Sequence, residues 1–249
     1  GFVFFLGSVW WMVRLGEFAG PMAVVGWLAL CAYLALYFGA FGWLIHRLAF
    51  SLQPSAFSLL LVPSGWVALE YARSHLLSGF GWNLLAYSQA PWLPLIQLAE
   101  VTGAWGVSFV IVLVNVAIAD VVHAKGSWKR DAAFAQAMAR AACALGVVLA
   151  MLGYGAWRMP QVGGSQTARV AVLQGNIPQQ QKWDERYQDA IFERYASLTL
   201  EAAQTRPQLI IWPETSVPGF LGLDEPLTRS LLALAGSVDT PLLVGAPRA

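Results

Sequence analysis

Residues 209–219 read LIIWPETSVPG: four large apolar side chains run into a proline, then a single acid, Glu214, then a turn-forming tail. A short apolar run of this kind fits a strand covered on both faces, as the strands of parallel sheets are. Pro213 removes a backbone donor and stiffens the exit from the strand, so Glu214 stands on a restrained backbone. Behind Ile210, Ile211 and Trp212 its carboxylate is expected to be partly buried. Burial disfavours the charged form of an acid, which is how a carboxyl group becomes a usable proton acceptor near neutral pH. A plainer reading stays open at this point, in which the acid only caps the turn TSVPG.

The flanking sequence repeats the strand signal at regular intervals. ARVAVLQGNIP at 168–178 alternates and breaks at Gly175-Asn176 and Pro178. Residues 184–204 have Ile191, Tyr195 and Leu198 on one helical face and Glu193, Arg194 and Glu201 on another. Residues 226–238 read as a second helix and 241–245 as a third strand. Strand–helix–strand–helix–strand predicts an α/β unit with a largely parallel sheet. Functional groups in such sheets collect where strands end, which selects Gln174 with Asn176, Trp183 and Glu214.

The preceding two thirds of the chain are written differently. The whole sequence is 57% hydrophobic and 12% charged, with mean hydropathy +0.56; soluble domains are about one quarter charged. Residues 1–157 hold 12 of the 29 charged side chains and residues 158–249 the other 17. The shift places a membrane domain at 1–157, a polar linker at 158–167 (RMPQVGGSQT) and the α/β unit at 168–249. Crossing a bilayer takes about 20 mostly apolar residues. Met22–His46, Phe50–Leu69 and Val101–Ala119 are uncharged, Ala132–Trp157 carries only Arg140, near enough to an end to snorkel, and Gly1–Val13 reads as the remainder of another span. At least five membrane helices are expected, with turns at 14–21, 47–55, 79–93 and 120–131. Lys125, Lys129 and Arg130 outweigh Arg14 and Arg73 and set residues 120–131 on the cytoplasmic side, so the α/β unit is expected outside. Residues 74–94 are broken by Gly79, Gly81, Pro91 and Pro94, and irregular backbone at membrane depth must be buried or line a cavity. Just before them Glu70 and Arg73 lie one helical turn apart, expected either to pair or to sit at the interface, with Arg73 at the level of lipid phosphates.

Several classes are disfavoured by composition. A net charge of +1 without a basic block argues against a nucleic-acid partner. Cys31 and Cys143 sit in apolar runs and are expected to be small buried hydrophobes. His46, His75 and His123 show no ligand spacing, so neither a metal nor another cofactor is expected.

QGNIPQ at 174–179, KWDE at 182–185 and IIWPETSVP at 210–218 are similar to the opening of a nitrilase-type domain. Following EYAR at 70–73, SGFGW at 78–82 and YSQ at 87–89 in a helical membrane domain, they resemble one family closely, the apolipoprotein N-acyltransferases. The resemblance implies a polytopic α-helical membrane domain followed by a nitrilase-like α-β-β-α sandwich, here incomplete. It implies transfer of an acyl chain from a phospholipid donor to the α-amino group of a diacylglyceryl apolipoprotein at the bacterial inner membrane, through a thioester on a Glu–Lys–Cys triad. By position Glu214 matches the glutamate that acts as general base. Trp183 matches a tryptophan of the active-site region, and Arg73 and Trp82 match the membrane side of the lipid-access cleft. The sequence departs from the pattern in that no cysteine or lysine follows Glu214. The chain is therefore expected to be a piece lacking both ends, and inactive by itself. A membrane-tethered amidase, or a transporter subunit with a small outer domain, are the rival readings.

Overall fold

The computed structural model describes residues 1–51, 56–125, 130–162 and 167–247. The turns expected at 47–55 and 120–131, and the glycines of the expected linker, fall partly outside these residues. The chain forms two compact units, residues 1–163 and 164–249.

The first unit is helical. Its main elements are α1 (Phe2–Ser8), α2 (Met22–Ser51), α3 (Ala56–His75), α4 (Ala99–Lys125) and α5 (Arg130–Val162). Among the described residues, three stretches are long and apolar enough to cross a membrane: Met22–Arg47, Ala99–Ala124 and Ala132–Gln161. At 1.5 Å per residue, the 20 residues of α3 give about 30 Å, the thickness of the hydrocarbon core, but Glu70 and Arg73 lie in its last turns. α5 continues past Arg158 to Val162, where the sequence had suggested a linker. Pro160 ends up in the helix's last turn, where its missing N–H costs a single hydrogen bond.

Among the described residues, two ion pairs join helices of this unit. Arg140 does not snorkel to a free end; its guanidinium donates to Asp120 on α4 at 2.9 Å. Arg158 donates to both carboxylate oxygens of Glu100, at 2.6 and 2.7 Å, which ties the beginning of α4 to the end of α5. Cys31 is buried, but Cys143 is exposed, as an apolar residue on the outward face of a membrane-type helix is. Residues 76–98 hold short turns of helix and three positive-φ residues other than glycine, Leu77, Ser78 and Asn83. This irregular backbone is answered by side chains of the neighbouring helices. Leu85 N–H donates to Glu70 Oε1 at 2.8 Å and Ala86 N–H to the buried Ser108 hydroxyl at 3.1 Å.

The second unit has three parallel strands, β1 (Val170–Val172), β2 (Leu209–Ile211) and β3 (Leu242–Leu243), in the order β1-β2-β3. Helices α6 (Gln188–Ala203) and α7 (Glu225–Ser237) make the crossovers. The alternation and parallel sense are those the sequence predicts. The strands are shorter because only their central residues hold the ladder. The core gathers on β2: Ile210 and Trp212 pack with Leu173, Tyr195, Val217 and Leu231. Trp212 stacks on Tyr195 with centroids 4.9 Å apart, and its indole N–H donates to Thr199 Oγ1 at 2.9 Å. A buried tryptophan needs such a partner for its N–H.

Candidate functional site

Glu214 leaves the carboxyl end of the central strand, two residues after the buried Trp212. The strand's direction is carried past its end by backbone pairing: Trp212 N–H donates to Leu243 O at 2.8 Å and Val217 N–H to Gly245 O at 3.0 Å. Gly245 lies so close beneath the turn that a Cβ there would stand 2.8 Å from Glu214 Cα. The next residue, Thr215, holds φ at 46°, a left-handed conformation that a β-branched residue rarely adopts. Lys182 restrains it, its ammonium donating to Thr215 Oγ1 at 2.9 Å. Backbone strain stored beside a carboxylate is a feature of functional sites.

The carboxylate itself is exposed, contrary to the partial burial expected from the residues before it. Ile210 and Trp212 bury their side chains on the sheet's own core and leave none to cover the strand's end. Glu214 lines a small cavity of about 120 Å³ together with Lys182, Gln179, Tyr195, Thr215 and Ser216. Trp183 is 62% exposed and is not part of the core. It lines an adjoining cavity of about 410 Å³ with Phe220 and Leu223. Lys182 belongs to both cavities and places its ammonium 5.5 Å from the Trp183 ring centre. The structure thus brings Glu214 and Trp183 to either side of one lysine. Lys182 stands in the KWDE motif, but nothing in the sequence tells that it reaches across to residue 215. Gln174 and Asn176 bond to each other at 2.8 Å on the exposed strand exit.

In the helical unit, Arg73 is buried at 4% exposure. Its guanidinium donates to the Asn83 carbonyl at 3.3 Å and lies 5.6 Å from the Phe5 ring centre. Glu70 is as deeply buried, yet the two form no ion pair: Glu70 is turned to the Leu85 amide instead. Both line a cavity of about 680 Å³, walled largely by aromatic and aliphatic side chains. That volume is within the range of small-molecule sites. Trp82 is not in the cavity wall. It is 54% exposed and packs against Trp11 at 5.1 Å.

Comparison with known proteins agrees with the motifs. The family model for the apolipoprotein N-acyltransferase N-terminal domain matches residues 1–117. A protein of Geobacter metallireducens named apolipoprotein N-acyltransferase is 35% identical over 163 residues, covering 65% of this chain and 30% of the relative. Proteins of the same name from Allorhizobium ampelinum and Brucella suis are 34% and 31% identical, each over 96% of this chain, and covering 44% and 46% of the relatives. The chain spans less than half the length of these relatives.

Proposed function

Starting from similarity along 96% of this chain to proteins named apolipoprotein N-acyltransferase, we propose that it forms the membrane unit and the opening of the catalytic unit of such an enzyme. The reaction moves an acyl chain from a phospholipid to the α-amino group of the diacylglyceryl-cysteine at the start of an apolipoprotein. The observation that carries the reading is Glu214, held at the end of a central parallel strand by a strained turn, in a chain whose described residues include three helices long and apolar enough to cross a membrane.

Glu214 acts as the proton acceptor. A neutral thiol is a poor nucleophile, and one carboxylate beside a cysteine can take the proton first from the thiol and later from the incoming amine. The matching cysteine and lysine are expected in the portion of the relatives that this chain does not span. The α/β unit is the first part of a nitrilase-type sandwich whose remaining layers cover Glu214. It lies on the extracytoplasmic side of the inner membrane, as the lysines and arginine of residues 125–130 favour. Trp183 lines the path of the acyl chain, and Arg73 and Trp82 serve lipid entry.

The test is acyl transfer by the chain extended to the length of its relatives. Given a phospholipid with a labelled acyl chain and a diacylglyceryl-cysteinyl peptide, it should form a thioester and then an amide on the peptide's α-amino group. Hydrolysis of small amides without acylation of the peptide would support the amidase reading instead.

A further inference from the structure

Lys182 takes no part in the proton transfer proposed for Glu214, yet its side chain reaches across 33 residues of sequence to the turn that carries it. Trp212 and Val217 bracket that turn, and both are held by backbone pairing, to Leu243 and Gly245. Between them Pro213 has no N–H to give. Among the described residues, the 2.9 Å bond that the Lys182 ammonium donates to Thr215 Oγ1 is the one side-chain hydrogen bond made by residues 213–215. Thr215 holds φ at 46°, where a β-branched residue persists only if its surroundings over-determine it. Gly245 packs against this backbone from one side, and Lys182 holds it from the side of the cavity that Glu214 lines. The lysine is itself fixed. Its amide and that of Gln181 donate to Pro178 O, and Asp184 N–H donates to Gln181 O, so residues 178–184 form a tight turn. Its ammonium also lies 5.5 Å from the Trp183 ring centre, within reach of cation–π attraction.

We propose that Lys182 is a positioning residue of the acyl-transfer site, which acts through Thr215 to hold Glu214 where it can take a proton. The inference rests on Glu214 as the proton acceptor. A general base must lie within about 3 Å of the group it deprotonates, and a misplacement of about 1 Å can cost about a hundredfold in rate. A left-handed threonine released from its partner relaxes toward the commoner backbone conformations, and Glu214, one residue before it, moves with the turn. Lys182 is distinct from the triad lysine expected in the portion of the relatives that this chain does not span. It need touch neither substrate nor carboxylate to do this work.

The experiment follows single-turnover thioester formation from a labelled phospholipid in the chain extended to the length of its relatives. Lys182→Met and Thr215→Val remove the donor and the acceptor of one bond, and each should slow the step by about 10–100-fold. The phospholipid concentration at half-maximal rate should stay as it is, because no contact to the lipid is lost. Thr215→Ser keeps the hydroxyl and should keep the rate. In the double variant Lys182→Met/Thr215→Val the two losses should not multiply, since residues that act through one contact are non-additive. Multiplying losses, a loss confined to half-saturation, or a full rate in either single variant would each overturn the proposal. Should Lys182→Met fail to fold, Thr215→Val against Thr215→Ser decides the matter. An unaltered long chain that forms no thioester would sink the acyltransferase reading by itself. Positioning is then read in the 249-residue chain by hydrogen exchange at the amides of Glu214 and Thr215. Both should exchange faster in Lys182→Met and Thr215→Val but not in Thr215→Ser, and unchanged exchange would overturn the proposal.

Discussion

Glu214 is positioned by three neighbours of quite different kinds: a glycine beneath it, a strained threonine after it and a lysine that ties the threonine down. Each makes a distinct prediction. Gly245→Ala puts a methyl group 2.8 Å from Glu214 Cα, and overpacking of this sort costs about 1–3 kcal/mol; the midpoint of urea unfolding should fall accordingly. Lys182→Met removes the bond to Thr215, worth about 0.5–1.5 kcal/mol, and amide exchange over residues 213–217 should rise while the rest of the sheet stays protected. Trp183→Ala removes an exposed ring, so circular dichroism should be unchanged. In the chain completed to the length of its relatives it should slow acyl-enzyme formation. The place of residue 214 at the end of a buried strand can be read from the sequence, but its exposure cannot. Burial depends on what packs over the strand's end, and the apolar residues before it point into their own core.

Among the elements, the amphipathic helices of the second unit were the most legible. Their apolar residues recur at helical spacing, and their caps are local. Asp224 accepts from Leu227 N–H at 3.1 Å and also takes Gln188 Nε2 at 2.7 Å, so it starts α7 and ties it to the beginning of α6. Asp224→Ala should cost about 1 kcal/mol for the cap, read as a lower thermal midpoint. Asp184 caps the short turn 185–187 and is held below the usual carboxylate range by its hydrogen bonds with Arg186. A depressed carboxylate stabilises the fold above its unfolded value and loses that contribution as pH falls through the folded one. NMR titration of Arg186 N–H should therefore show the cap opening only in acid. The irregular segment 76–98 was legible as a break, from its glycines and prolines, but not in its course. That course depends on Glu70 and Ser108 capturing two successive amides, contacts 15 and 22 residues apart in sequence that no local pattern encodes. The same capture explains why Glu70 and Arg73 do not pair.

Taken whole, the molecule divides its labour by composition. Charge is scarce in residues 1–163; Arg140 and Arg158 pair with Asp120 and Glu100, and Glu70 and Arg73 line a cavity. The second unit keeps its charges on the surface and its apolar residues on one small parallel sheet. The division into helical and α/β parts follows from hydropathy and periodicity. The 680 Å³ cavity does not, because it is made by side chains from five separated stretches. The reading of the whole as an acyltransferase stands on the carboxylate at the end of β2. Its most direct test compares Glu214→Gln with the unaltered protein at the full length of its relatives, following the thioester and the N-acylated peptide from a labelled phospholipid. General-base roles contribute roughly 10²–10⁴-fold, so both products should fall by at least about a hundredfold while folding is unchanged. Thioester and amide formed at undiminished rates by the glutamine variant would contradict the account.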